Sequence, residues 1–324
     1  MTITTSTQLP SLTQLPETYL IELNDFGAIS LSGEEQSKYL QGQVTCDVNS
    51  SSESNLLVGA HCDAKGKVFS VFRLINRASA HLLLQPKASI ESSLKELKKF
   101  GVFAKVEIEE TQNLSFIALV GSQASTLLQQ EFSQIPDSLT PVVQVGSTSL
   151  VYLSGEQPRY IIIDEQVVIS SFSQKLALPS YSQSVWNLLE ITQGFPILNA
   201  GTSGHYVPQM LNLQALNGIS FTKGCYLGQE TVARMQYLGK NKRALFCLKT
   251  QLEQAFQADD VIEKQLGENW RKAGDIIAYY QADDGSCVMQ AILANDGDLP
   301  SMRIASQSNC VVTNQTLPYT LAAE

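Results

Sequence analysis

The chain has 324 residues, 44% hydrophobic and 16% charged, the composition of a folded, soluble protein of two or three domains or subdomains. Its formal net charge of −9 and pI near 5.0 exclude a general, tight grip on nucleic acid through a basic surface. No apolar run is long enough to span a bilayer, and no basic-then-apolar segment resembling a secretory signal opens the chain.

Residues 1–18 are rich in Thr, Ser, Gln and Leu and are expected to form a flexible tail. Residues 17–23 alternate apolar and polar side chains as a strand does. Asn24-Asp25-Phe26-Gly27 then makes a turn, and residues 28–31 a second strand. Ser32-Gly33-Glu34-Glu35 has the spacing of a capping box for a helix that stops at Gly42. Residues 56–61 and 67–75 read as a β-hairpin turning on Asp63-Ala64-Lys65-Gly66. Pro86 suits a first helical residue, Ile90, Leu94, Leu97 and Phe100 recur at helical spacing, and Gly101 ends that helix. Strands are predicted at 114–120, 149–153 and 159–163, and helices at 122–132, 166–176 and 182–192, the last stopped by Gly194. Strands and helices alternate irregularly with hairpins among them, which favours α+β layers over a doubly wound parallel sheet. Beyond a boundary near Lys240, short strands at 244–250, 276–281, 288–294, 301–305 and 310–314 are evenly spaced, as in a small β-barrel or sandwich.

The usual site signatures are absent. There is no GxGxxG, GxxxxGK(S/T) or HExxH, and the six cysteines include no CxxC pair, which argues against a zinc or close-spaced iron–sulfur site and fits a reducing cytoplasm. The stretch that carries chemistry is Lys223-Gly224-Cys225-Tyr226-Leu227-Gly228-Gln229-Glu230. Glycines permit backbone paths closed to other residues. A helix starting near Gln229, with Glu230 at its positive end, and a lysine two residues before the sulfur would both favour a Cys225 thiolate. Free cysteines are also common small core residues, so residue pattern alone leaves Cys225 either reactive or buried. A Cys–His pair would need His61, His81 or His205 beside it. Phe26 and Trp186 fall where they could hold a flat heteroaromatic ligand or belong to the core. Arg234, Lys240, Lys242 and Arg243 form a local basic cluster, either a solvated loop or a landing place for an anionic ligand tail.

The octapeptide closely resembles the signature of the YgfZ family of folate-binding, tRNA-modifying proteins, relatives of the glycine-cleavage aminomethyltransferase. Tyr39-Leu40-Gln41-Gly42-Gln43-Val44-Thr45, Ala60-His61-Cys62-Asp63-Ala64-Lys65-Gly66-Lys67, Gly194-Phe195-Pro196, Val207-Pro208-Gln209, Asn212-Leu213-Gln214-Ala215-Leu216, Asn241-Lys242-Arg243-Ala244-Leu245 and Gly267-Glu268-Asn269-Trp270-Arg271 resemble it as well. The resemblance runs from about residue 20 to the C-terminus. It implies two interleaved aminomethyltransferase-like subdomains (residues 19–240) around a central cleft, followed by a C-terminal β-barrel (residues 241–324). It also implies tetrahydrofolate or a derivative in the cleft, with Phe26 and Trp186 sandwiching the pterin or aryl part and Arg234 and Lys242 taking the glutamate tail. The family more often has tryptophan where this chain has Phe26, which keeps a stacking face and loses an N–H donor. Aminomethyltransferases carry an acidic pair after the glycines of the first hairpin; residues 67–72 here hold no carboxylate, so glycine-cleavage activity is not expected. The implied role is a cytoplasmic accessory protein that maintains iron–sulfur enzymes such as tRNA methylthiotransferases. Cys225 is its essential thiol, Lys223 the electrostatic partner, and Gln229 and Glu230 local organisers. A folate-dependent one-carbon transferase and a client-docking module without chemistry are the rival readings.

Overall fold

The chain builds its first sheet in two visits. Strand Thr18–Glu22 is laid down first, the chain then leaves to make all of a second sheet, and it returns with strands from Ser115–Gly121 to Ser180–Tyr181. The protein is described by a computed structural model covering residues 5–239, 241–257, 259–296 and 301–321. Six strands make the first sheet, in which Thr18–Glu22 lies between Ser180–Tyr181, parallel to it, and Ser115–Gly121, antiparallel. Five make the second, in the order Leu57–Cys62, Val68–Arg77, Ala80–Pro86, Phe26–Ser32, Glu107–Glu110.

Strand periodicity explains how the sheets pack. Tyr19, Ile21, Ala118, Val120, Ile161 and Ile163 point to one face of the first sheet, and Ala28, Ile75, Leu82 and Leu84 to one face of the second; both sets join a single core with Val185, Trp186 and Leu189. The outer face of the first sheet is covered by helices Ala124–Glu131 and Gln166–Leu176, and that of the second by helix Lys87–Gly101. Because both faces are buried, Arg159–Asp164 and Ser115–Gly121 read as continuous apolar runs rather than alternations. A third unit, a closed six-stranded barrel from Arg243–Gln251 to Gln307–Gln315, packs against helix Gln183–Thr192 through Leu188, Ile191, Cys247 and Tyr280. This is the expected α+β arrangement with a C-terminal barrel. The expected boundary residue, Lys240, lies outside the described residues.

Several local expectations need correction. Ser32 ends a strand, and the short helix Gln36–Gln41 is preceded by Glu35 with no side-chain cap, so the capping box is not made. The first hairpin has a third strand, Ala80–Pro86, and the barrel has an additional strand, Val261–Leu266, in which only Ile262 is fully buried. The tail is tied down from residue 5 onward. Ser6 N–H donates to the Ser180 carbonyl at 2.8 Å, Leu9 N–H to Asp283 Oδ2 at 2.8 Å, and Tyr280 O–H to the Pro10 carbonyl at 2.8 Å. Leu9 and Leu15 pack against the cluster shared by helix Gln183–Thr192 and the barrel, which a polar composition did not reveal.

Candidate functional site

The octapeptide forms a loop held on three sides. Gly228 lies at φ +83°, in the left-handed region, and a Cβ there would meet the Asp63 carbonyl oxygen at 2.4 Å and Gly66 Cα at 2.9 Å. The loop is therefore seated on the turn of the first hairpin, and only glycine fits. Leu227 N–H donates to the Gly42 carbonyl at 3.0 Å. The Lys223 ammonium donates to the carbonyls of Gln41, Val44 and Cys46, each at 2.7 Å, with the Tyr226 ring 5.0 Å from it.

Those three bonds use every proton on Lys223 Nζ. The expectation that Lys223 is the electrostatic partner of Cys225 is therefore corrected: it is a fastener between the loop and residues 41–46. Burial pulls its amine down to about 8, opposed by the Coulomb attraction of Cys46 and Asp47 beside it. Cys225 itself is exposed, and the other five cysteines are buried. The choice left open by the sequence falls to an exposed thiol. Gln229 and Glu230 open helix Gln229–Leu238, with Glu230 exposed in its first turn, where an anion is favoured. His61 and His81 are buried within the second sheet, and His205 is an exposed loop residue.

The expected aromatic sandwich is not present. Phe26 and Trp186 are 3% and 2% exposed, with ring centroids 6.4 Å apart at 67°, and both belong to the core between the sheets. They meet edge to face, leaving no slot for a third ring. Trp186 instead lies beside the Arg159 guanidinium, 5.1 Å away. Phe26 also contributes to the wall of a separate groove of about 390 Å³ with Asn24, Gln112 and Gln166.

A cleft does lie where one end of the second sheet and helix Gln183–Thr192 meet the barrel. It has a volume of about 470 Å³, and its walls include Asp25, Lys87, Gln183, Asn187, Phe256 and Tyr279. That volume falls within the roughly 300–1,000 Å³ typical of small-molecule sites. Gln183 and Asn187, four residues apart, share one face of helix Gln183–Thr192, and Gln183 Oε1 is buried without a hydrogen-bond partner. Phe256 and Tyr279 stack at 4.0 Å and 20°, and Tyr279 is 46% exposed. The Lys87 ammonium donates to the Asn24 carbonyl at 2.8 Å. A buried, unpartnered amide oxygen, an acceptor, beside a stacked aromatic pair fits a flat heterocycle bearing N–H groups. Cys225, Arg234 and Lys242 are not among the residues lining this cleft, and the last two are exposed.

The helix that carries Trp186 also lines the cleft, through its polar positions. The pair Gln183 and Asn187, polar at i, i+4 on one face of this helix, is the signal that would have found the cleft. Glu190 on the same helix was also missed. Its carboxylate accepts from Arg73 at 2.7 and 3.0 Å and from Arg159 at 2.7 Å, joining both sheets to the helix. Burial works to raise this carboxyl, and the two guanidinium groups outweigh it, holding it below its ordinary value. Among the described residues, no helix is long and apolar enough to cross a membrane, and no cluster of three or more His, Cys, Asp or Glu could hold a metal.

Comparison with known proteins follows this geometry. The family model for the YgfZ β-barrel domain matches residues 241–306. The tRNA-modifying protein YgfZ of Colwellia psychrerythraea is 85% identical across the whole of both chains. That of Yersinia pestis (strain Pestoides F) is 41% identical over 308 residues, 94% of this chain and 93% of its relative. Among solved structures, the glycine cleavage system aminomethyltransferase T from Bartonella henselae superposes with a TM-score of 0.69 at 13% identity, covering 93% of this chain and 86% of the other, and so shares the fold. The chain belongs to the YgfZ family.

Proposed function

We propose that this protein is a tetrahydrofolate-binding accessory factor in tRNA modification, presenting the Cys225 thiol to client iron–sulfur enzymes such as tRNA methylthiotransferases in the cytoplasm. The observation that carries this reading is the contrast among the cysteines. Five are buried, and the one that is exposed sits on a loop locked by a buried ammonium and an obligatory glycine. An exposed sulfur on a rigid loop can meet a macromolecular partner, and the cost of ordering that loop falls on folding rather than on the encounter. Relatives named as tRNA-modifying proteins support the process, and the net charge of −9 favours action through an enzyme rather than a direct grip on tRNA.

The folate part rests on the cleft and on the aminomethyltransferase-like fold, the latter an analogy. Gln183 and Asn187 would bond the pterin edge, the Tyr279–Phe256 stack would cover its face, and Lys87 would take a carboxylate of the tail. When bound, the folate supplies a reduced pteridine able to carry a one-carbon unit. Because Cys225 does not line the cleft, thiol and folate act as separate features of one surface rather than as reacting partners. A second reading, aminomethyl-type transfer, is favoured by the exposed carboxylate of Asp25 in the cleft wall.

The test is the methylthio content of tRNA in cells whose only copy is wild type, Cys225→Ala or Cys225→Ser. Loss with both variants, at normal protein levels, is the expected result. Full retention with alanine would remove the thiol role, and retention with serine would leave only docking. Turnover of methylene-tetrahydrofolate by the purified protein would favour the transferase.

A further inference from the structure

A cavity of about 830 Å³, separate from the cleft and from the Cys225 loop, lies where residues 77–80, residues 144–147 and residues 48–53 come together. Its wall holds a hydrogen-bonded chain of three side chains. Ser37 Oγ is 2.8 Å from His81 Nε2, and His81 Nδ1 is 2.6 Å from Asn76 Oδ1. Asn76 Nδ2 donates to Ser51 Oγ at 3.4 Å, which leaves Oδ1 to accept, so the imidazole proton is assigned to Nδ1. Nε2 then presents its lone pair to the serine hydroxyl. His81 is 3% exposed, and burial holds it below its ordinary value, keeping it a neutral base near pH 7. A hydroxyl within reach of an imidazole that a third group orients is the arrangement that activates a nucleophile.

The surroundings are those of a binding site rather than of a sealed core. Ser37 is half-buried, and Ser37, Asn76 and His81 all line the cavity. Gln36 Oε1, on the same wall, is buried without a partner. Arg77 is the only cation among the lining residues, and its guanidinium donates to Ser149 Oγ of the first sheet at 2.6 Å. The turn beneath, Ala78 at φ 47° and Ser79 at φ 65°, keeps two non-glycine residues in the left-handed region, the kind of strain that collects at functional sites.

We propose that Ser37, His81 and Asn76 form a nucleophilic acyl-transfer site for small carboxylic esters. In the first step Ser37 Oγ bonds to the acyl carbon as its proton passes to His81 Nε2. The ester C–O bond then breaks, and that proton leaves with the alcohol. Water repeats the sequence on the acyl-serine, giving the carboxylic acid and restoring the hydroxyl. Asn76 Oδ1 accepts from the His81 Nδ1–H throughout and is a positioning residue. Neither folate nor Cys225 takes part.

The test treats the full-length protein with an alkyl fluorophosphonate and, separately, with p-nitrophenyl acetate, then maps the adducts by peptide mass. A single adduct on Ser37, lost in Ser37→Ala, is expected. The labelling rate should fall about 100-fold in His81→Gln, the scale of general-base assistance. Asn76→Asp should keep labelling within a few fold, and Asn76→Ala should slow it at least ten-fold with an unchanged melting curve, a result that stands should His81→Gln not fold. A structural tie between strand and helix gives none of this. Absence of an adduct on Ser37, or labelling equally fast without His81 or Asn76, overturns the proposal.

Discussion

Replacing Lys223 with methionine removes the ammonium while keeping most of the apolar stem. Three carbonyls lose their donor, and two of them belong to Val44 and Cys46, which are 0% and 3% exposed, so water cannot readily take its place. Each buried acceptor left unsatisfied costs about 1–3 kcal/mol, giving roughly 2–6 kcal/mol for the two. The contact with the Tyr226 ring adds about 0.5–1 kcal/mol. Methionine recovers the cost of desolvating a charge, so the lower half of that range is expected, about 2–4 kcal/mol. A domain of ordinary stability, about 5–15 kcal/mol, would survive this loss. Urea unfolding gives the stability change, and the alkylation kinetics of Cys225 report the loop. The variant should fold, lose about 2–4 kcal/mol, and show a Cys225 rate that differs from wild type because its loop is no longer pinned to residues 41–46. Stability within 0.5 kcal/mol of wild type, with unchanged alkylation, would refute the fastener role.

Gly228→Ala introduces a Cβ at 2.4 Å from the Asp63 carbonyl at a positive φ, so the loop must move; melting should fall, and tRNA methylthiolation should drop with Cys225 still present. Glu190→Gln leaves two guanidinium groups buried around a neutral amide and should cost about 3–5 kcal/mol in denaturant unfolding. Stability should also fall in acid through His61, which burial holds near 4 against an ordinary 6.5. The unfolded chain takes up that proton first, so stability is full above pH 6.5 and is lost as the pH falls toward 4, by up to roughly 3 kcal/mol. His61→Gln should flatten urea midpoints across that window, and an unchanged slope would count against it.

What the sequence revealed and what it hid divide along physical lines. Helices Lys87–Gly101 and Gln183–Thr192 were legible because their apolar spacing and their proline or glycine boundaries act locally. The tail was misread because its anchoring depends on acceptors in residues 180 and 283, far along the chain. The capping box failed since Ser32 is drawn into a strand paired with Glu107, a tertiary demand that outweighs the local motif. In the octapeptide loop, Cys225 was singled out from its glycines and neighbours. The direction of Lys223 was not, because its acceptors are main-chain carbonyls, which every residue carries. Phe26 and Trp186 were read as ligand walls only through the family resemblance; residue chemistry left a core role open, and their burial follows from two sheets closing on one core. The cleft depends on Tyr279 and Phe256 arriving from the barrel, a juxtaposition no local pattern encodes.

The central claim is that the cleft between the second sheet, helix Gln183–Thr192 and the barrel holds a reduced folate. Equilibrium titration of tetrahydrofolate into wild type, Tyr279→Ala and Asn187→Ala measures it directly. Saturable binding by wild type, weakened at least ten-fold in each variant with melting unchanged, is the predicted result. No binding by wild type, or binding that neither substitution alters, would contradict the account.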